Sequence, residues 1–355
     1  MPLDPISVVH RRLHAQRLAS GRFARPAQAV HWLGAMQAQE FAEAKWSIGE
    51  RVGGSTDADV EDAFARGEIL RTHVLRPTWH FVTPADIRWM LRLTGPRVHA
   101  ANRYMYRKLD LSDDVLARTH AAIARAFEAD EALTRAELAG ALREAGIVAD
   151  GLRLGYLLMH AELEQLVCSG PRRGKQQTYA SFDKRVPPGR ELTRDDALAD
   201  LTLRFFRSRG PATVRDFTSW SGLTVSDAKA GLRLAEGQLD AEVDDQGTSW
   251  IGPPGEGEPT RGAFLIPMYD EMVSGYRDLR IVLAQPPPRE GMLSRPIVID
   301  GRTVGSWKRT VTKRTAIVEA TLFTELSAAE ASALHAVVER FGRFMQLPAV
   351  LDTSP

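Results

Sequence analysis

One arrangement recurs three times between residues 1 and 252: a helix, a short helix, a longer helix, and then a pair of strands. In the first copy, Ser7-Val-Val-His-Arg-Arg-Leu-His leads to Pro26-Ala-Gln-Ala-Val-His-Trp-Leu, where Pro26 suits a first helical turn. An apolar-periodic segment over 43–52 follows, then Asp57-Ala-Asp-Val-Glu-Asp-Ala-Phe, whose acids suit the positive end of a helix. Residues 69–75 and 78–82 read as a hairpin turning at Pro77. The second copy has a helix over 112–129, the capping box Thr134-Arg-Ala-Glu137 opening a short helix, and a third helix over 152–166. Its strands, from 166 and from 177, flank Gly170-Pro-Arg-Arg-Gly-Lys-Gln, whose glycines permit a tight reversal. The third copy runs through helices at 193–208, from Thr213-Val-Arg-Asp216 and at 224–235 to strands at 239–243 and 248–251.

Helix–turn–helix followed by a hairpin is the winged-helix plan, in which the last helix can enter a major groove while the hairpin touches backbone or minor groove. The expected fold is therefore α+β: three tandem winged-helix units, over 1–108, 109–190 and 191–252, around a concave DNA-binding face. Gly252-Pro-Pro-Gly-Glu-Gly-Glu-Pro reads as a linker to a C-terminal β-rich domain over 253–355. Strands are expected there at 263–266, 281–283, 296–300 and 306–320, with Gln285-Pro-Pro-Pro-Arg between two of them. A closing helix over 327–346 starts on a Ser327/Glu330 cap.

Charge and composition narrow the function. Forty-six basic residues against 45 acidic ones exclude a uniformly basic, histone-like chain, but a local patch rather than the total sets the potential that nucleic acid meets. Only seven of the 46 are lysines, an arginine bias that suits planar contacts to phosphate and also the codon usage of a GC-rich genome. The one cysteine, Cys168, excludes an intrachain disulfide framework and cysteine-based clusters. No phosphate-binding loop, dinucleotide fingerprint or His-Glu-x-x-His stands in the sequence, and the nine histidines are scattered without metal-ligand spacing. No cofactor and no metal are expected. The start lacks a secretory h-region and no apolar run nears the eighteen or so residues of a membrane span, so the expectation is a cytoplasmic protein without membrane contact.

What remains for chemistry is Met36-Gln37-Ala38-Gln39, at the end of the first copy's apolar helix. Glutamines at i and i+2 lie on different faces of a regular helix but point the same way in an extended segment. If the helix ends there, two neutral amides, each offering an acceptor and donors, can converge on a small guest such as water.

Several landmarks in fixed order carry a family resemblance. Gln37-Ala-Gln39, Leu70-Arg-Thr-His-Val-Leu-Arg-Pro-Thr-Trp-His80, Cys168-Ser-Gly-Pro-Arg-Arg-Gly-Lys, Pro267-Met-Tyr-Asp-Glu-Met-Val-Ser-Gly-Tyr-Arg-Asp278 and Asp300-Gly-Arg-Thr-Val-Gly-Ser-Trp307 span nearly the whole chain. They resemble the winged-helix DNA glycosylases related to AlkZ and YcaQ, and the Gln-x-Gln form is similar to the AlkZ branch. The resemblance implies a monofunctional, monomeric hydrolase without an obligate protein partner. Its substrate would be damaged double-stranded DNA carrying N7-alkylguanine, including bulky adducts and interstrand crosslinks, in antibiotic self-resistance. Such a base is already cationic and departs neutral, so the paired carboxylates of ordinary glycoside hydrolysis are dispensable. Gln37 and Gln39 would then orient a water toward C1′, a positioning contribution worth up to roughly 7–11 kcal/mol.

A crosslinked base cannot swing out of the duplex, so a hairpin inserted into the minor groove would bring the water to it. Two basic turns qualify: Arg172-Arg173-Gly-Lys175, and Lys308-Arg309-Thr-Val-Thr-Lys313-Arg314, the latter favoured because strands flank it. Arg71, Arg76, Thr78 and His80 on the first wing are expected to meet phosphate, salt bridging within the wing being the structural alternative. Asp270 and Glu271 are read as turn caps before catalytic groups, and Trp79, Trp89 and Trp307 as packing. The competing reading is a non-catalytic winged-helix regulator or toxin-sequestering protein.

Overall fold

The computed structural model describes residues 4–19, 21–254, 259–279 and 295–353. After α1 (Pro5–Ala15), whose N-terminus Asp4 caps, the first repeat runs α2 (Pro26–Leu33), β1 (Met36–Gln37), α3 (Phe41–Gly49), α4 (Asp57–Ala65), β2 (Leu70–His73) and β3 (Trp79–Val82). The long helix α5 (Pro84–Lys108) leads to the second repeat: α6 (Asp113–Ala129), β4 (Ala132–Thr134), α7 (Arg135–Glu144), α8 (Gly151–Leu163), β5 (Val167–Ser169) and β6 (Thr178–Ser181). The short α9 (Phe182–Arg185) precedes the third: α10 (Arg194–Arg209), α11 (Val214–Ser221), α12 (Val225–Leu234), β7 (Asp240–Val243) and β8 (Ser249–Gly252).

The three copies share a detail absent from the sequence pattern. A minimal strand stands between the first and second helices of each and pairs with the last strand. The sheets are ordered β1-β3-β2 and β4-β6-β5, all antiparallel, and in the third copy a bridge from Ala212 to Ile251 takes the same place beside the β7–β8 pair. Segments of one to three residues are too short for alternation to show. The caps, by contrast, form where the sequence puts them: Thr134 and Glu137, Thr213 and Asp216, and Ser327 and Glu330 each exchange side-chain and backbone bonds. Helix α5, about 37 Å long at 1.5 Å per residue, has no counterpart among the sequence-based expectations.

Beyond residue 259 the chain forms β9 (Ala263–Leu265), α13 (Glu271–Ser274), β10 (Pro296–Ile299), β11 (Arg302–Val311), β12 (Ala316–Leu322), α14 (Ala328–Met345) and β13 (Ala349–Asp352). Its sheet is ordered β13-β12-β11-β10-β9, with β13 the parallel partner of β12. The strand expected at 281–283 and the proline run after it lie outside the described residues.

The apolar clusters cut across the repeats. One joins α1, α5 and the hairpin of the first repeat to the third, through Val9, Ile87, Phe205 and Trp220. Another fuses the rest of the first repeat to the C-terminal sheet, where Trp46 meets Phe341 edge-on at 5.0 Å and donates from Nε1 to the Leu265 carbonyl at 2.8 Å. A third lies within the second repeat, around Ile123, Leu138 and Leu157. The expected packing role of Trp89 and Trp307 agrees with their burial in these clusters. Among the described residues, no helix is long and apolar enough to cross a membrane.

Two buried groups of the first repeat and α5 contribute to the response to acid. Burial and the neighbouring Arg76 hold the His80 imidazole neutral, its pKa well below the ordinary 6.5. Burial pushes the Asp86 carboxyl up, but hydrogen bonds from His31 (3.1 Å) and Arg204 (2.8 Å) outweigh it and leave the pKa below the ordinary 3.8. For His80 the unfolded chain binds the extra proton, so stability is lost as pH falls through 6.5. For Asp86 the contribution is complete above 3.8 and is lost as pH falls below it. The melting temperature should therefore be flat above neutrality, decline below pH 6.5 and fall again below pH 3.8 in scanning calorimetry. A melting temperature constant down to pH 4 would contradict the His80 assignment.

Candidate active site

Helix α2 stops at Leu33 because Gly34 takes a φ of +74°, and the chain continues extended rather than helical. Gln37 lies opposite His80 in the antiparallel pairing of β1 with β3, and the next residue prolongs the ladder, Ala38 N–H donating to the Trp79 carbonyl at 2.7 Å. Extended geometry sends alternate side chains to opposite faces. Met36 and Ala38 are accordingly buried, whereas Gln37 is half-buried and Gln39 exposed. The chain has thus left the helix before the pair: Gln37 ends β1, and Gln39 sits in the bend after it, its Oε1 accepting the Trp79 backbone N–H at 3.4 Å.

This segment is held by buried charges from distant parts of the chain. Arg209, the last residue of α10, donates to the Leu33 carbonyl at 2.8 Å and to that of Ala35 at 2.9 Å. Its Nε and Nη2 also bind Oε2 of Glu271. Glu271 in turn accepts the Gln37 backbone N–H on Oε1 at 2.8 Å and the Trp220 indole N–H on Oε2 at 3.0 Å. Both charges are fully buried. Asp270 performs the expected capping, accepting from Met272 N at 2.8 Å, and also takes a two-pronged ion pair from Arg51 at 2.7 and 2.9 Å. Burial opposes ionisation of Asp270, but the Arg51 charge and its hydrogen bond dominate and hold the carboxyl below its ordinary range. Glu271 is no cap: it is a brace for the glutamine strand.

Residues of the β2–β3 hairpin hold the glutamine segment. Arg71, expected at phosphate, is buried; its Nε donates to the Ala38 carbonyl at 2.9 Å and its Nη2 to that of Gln39 at 3.3 Å. Its guanidinium stacks 4.2 Å from the Trp79 ring centre, and burial lowers its pKa to about 10, so it stays charged at neutral pH. The Ser169 hydroxyl accepts the Arg71 backbone N–H at 2.7 Å, tying the second repeat to the same strand. Arg76 Nη2 donates to Gln37 Oε1 at 3.0 Å, which determines which end of that amide is oxygen. His80 is sealed in the interior with Nδ1 2.9 Å from the Thr78 carbonyl, and Thr78 is half-buried. Arg71 and His80, expected at phosphate, are instead both buried, the one bonded to the Ala38 carbonyl and the other beside that of Thr78. Arg209 carries no signal in the sequence, where it is one arginine among many.

The basic turns separate into paired and exposed groups. Arg172 is bound to Glu61 at 2.9 Å and Arg173 to Glu137 at 2.6 Å, while Lys175 is exposed. Arg309 binds the buried Glu43 of α3 at 3.1 Å, anchoring β11 two residues before its turn-side end. Lys308, Lys313 and Arg314 are exposed, the last two in the turn, with Val311 exposed beside them. The Thr312 hydroxyl stiffens that turn by accepting from Arg314 N at 3.2 Å and Thr315 N at 3.0 Å.

Known proteins share both the sequence pattern and this architecture. A family profile described as "DNA glycosylase AlkZ-like" matches residues 30–344. The fold is similar to that of Streptomyces sahachiroi DNA glycosylase AlkZ, with a TM-score of 0.79 at 20% identity over 99% of this chain and 100% of that one. No curated protein sequence matches the chain.

Proposed function

Because the chain belongs to the AlkZ-like DNA glycosylase family, we propose that it hydrolyses the N-glycosidic bond of cationic N7-alkylguanine and related alkylpurines in duplex DNA. The single observation that carries this reading is the non-helical Gln37-Ala38-Gln39 segment, with neither amide sealed in the core and its backbone held by Arg209, Glu271 and Arg71. The Gln37 carbonyl oxygen has two lone pairs, one taken by Arg76 and one left for a water proton. Gln39 offers a second amide to the same molecule. An amide is a poor proton acceptor, so the pair orients the nucleophile and places negative dipole ends beside the developing oxocarbenium ion. Glu271 is enclosed and already hydrogen-bonded on both oxygens, which suits a brace rather than a base. The bonding partners of the glutamine segment are arginines, a glutamate and backbone groups rather than a lysine amine, so direct hydrolysis to an abasic site is the expected outcome, without a Schiff base.

In this reading the three repeats are winged-helix units over 1–108, 109–190 and 191–252, with the C-terminal β-rich domain supplying the groove-inserting hairpin. Their shared strand order, the short first strand beside the last, supports the assignment. Lys308, Lys313 and Arg314 flank the exposed Val311, the combination of phosphate contacts and apolar wedge that minor-groove proteins use. An inserted hairpin leaves the damaged base in the stack, which extends the substrate range to bulky adducts and interstrand crosslinks. The enzyme would act as a monomer on damaged double-stranded DNA in a cytoplasmic repair or self-resistance role.

The direct experiment incubates the protein with duplexes carrying N7-methylguanine, a bulky N7 adduct or an N7 crosslink, and looks for released modified base by mass spectrometry. Binding without release from any of the three would leave the non-catalytic regulator as the better account. Neutralising Lys308, Lys313 and Arg314 together should lower the slope of log affinity against log salt by about 0.9 for each phosphate no longer neutralised. Arg309→Ala should alter the slope less, since its charge is spent on Glu43. An unchanged slope in the triple variant would remove the hairpin from the DNA interface.

A further inference from the structure

The nine histidines look dispersed in the sequence, but the fold gathers three of them. His99 on α5, His120 on α6 and His160 on α8 lie side by side, with ring centres of His99 and His160 4.7 Å apart and those of His120 and His160 5.1 Å apart. Glu164 stands four residues after His160, a spacing that puts both on one helix face. One ligand atom from each of His99, His160 and Glu164 falls within 4.8 Å of the others. The spacing along the sequence hides this grouping, because the residues come from segments that only tertiary packing brings together.

We propose that His99, His160 and Glu164, with His120 in the fourth position, form a binding site for a divalent transition-metal ion, zinc being the best match to their donors. Three imidazoles and one carboxylate are nitrogen and oxygen donors that zinc accepts, and a tetrahedral shell of them would place ligand atoms about 3.4 Å apart. Two of the separations are already near that value, His120 Nε2 standing 3.1 Å from His160 Nδ1 and His99 Nε2 2.9 Å from Glu164 Oε1, and closing the full set requires side-chain rotation, above all of His120.

Two further observations point to a ligand rather than to a stack of packed rings. First, His99 is pre-oriented. Its Nδ1 lies 2.8 Å from the Tyr106 hydroxyl, so Nε2 is the nitrogen turned to the cluster, the outer-shell arrangement typical of metal-bound imidazole. Second, that Nε2 is sealed from solvent and has no well-directed hydrogen bond, since the contact with Glu164 is close but off the bonding line. A buried ring nitrogen without a directed partner is costly, and a metal ion satisfies it. Bound metal would clamp the long connecting helix α5 to α6 and α8, away from the glutamine strand, and the inference is independent of the proposed DNA chemistry.

The test uses the full chain, stripped of metal by chelator and dialysis, then titrated with zinc chloride by calorimetry in competition with a chromophoric chelator. The expected result is one equivalent bound, with a rise in melting temperature. Cobalt should give the intense visible absorption of a tetrahedral site. His99→Ala and His160→Ala should each abolish stoichiometric binding, and Tyr106→Phe should weaken it by about 10- to 100-fold. Should either alanine variant fail to fold, Glu164→Gln, an exposed position, must still lower the affinity. Binding that is absent in the wild type, sub-stoichiometric, or undiminished in these variants would overturn the site.

Discussion

Gln37→Ala is expected to slow base excision by about 10²- to 10³-fold, the range lost when one preorganised hydrogen-bonding group is taken from a site of developing charge. Affinity for undamaged and lesion-bearing duplex should remain nearly unchanged, because the side chain is one small amide in a large DNA interface. Gln39→Ala should have an effect of the same order. The double variant should fall little further than either single one, since two groups that aim one water act as a unit. Single-turnover excision under saturating enzyme, beside an equilibrium binding measurement, separates the two quantities. A double variant that excises at the wild-type rate would end the assignment. Loss of binding in parallel with excision would instead mark the glutamines as DNA contacts.

The second large effect is expected at a residue that meets no DNA. Glu271→Gln removes the negative partner of Arg209 while keeping its size, and breaking one side of a buried ion pair costs about 3–5 kcal/mol of stability. Chemical denaturation should report that loss directly. Excision should fall as well, measured at a temperature where the variant is folded, because Arg209 is then free to shift from the Leu33 and Ala35 carbonyls and the glutamine strand loses its register. The rate constant of the chemical step should drop without a matching change in DNA affinity. A folded variant with wild-type excision would show that the strand is held well enough by Arg71 and the β3 ladder alone.

Much of the local structure was legible because it is written within a few residues. The Thr134, Thr213 and Ser327 caps, the hairpin at Pro77 and the acidic start at Asp57 each rest on groups three or four positions apart. Helix α5 escaped because arginines, Gly95 and Pro96 interrupt its apolar periodicity, although Trp89, Met90 and Val98 still share its buried face. The short strands β1 and β4 escaped because two or three residues cannot display an alternation. For Gln37 and Gln39 the residues could be singled out from the sequence, yet whether they stood outside a helix depended on where α2 ended, a matter decided at Gly34 and by pairing with β3.

The roles of charged residues show the boundary most plainly. Arg71, Arg76, Arg209 and Arg309 are chemically identical in the sequence. Packing gives them different work: one on the strand carbonyls, one on the Gln37 amide, one on Glu271 and one on Glu43 of α3. His99 and His160 are likewise far apart along the chain until α5 and α8 meet. By itself, then, the chain determined its threefold repeat, its caps and the pair of amides, because those depend on short-range backbone preference. Only the tertiary structure decided which charges are buried, which partner each one has and where the amides point. Those outcomes depend on desolvation, and desolvation is a property of what the rest of the chain packs around a group.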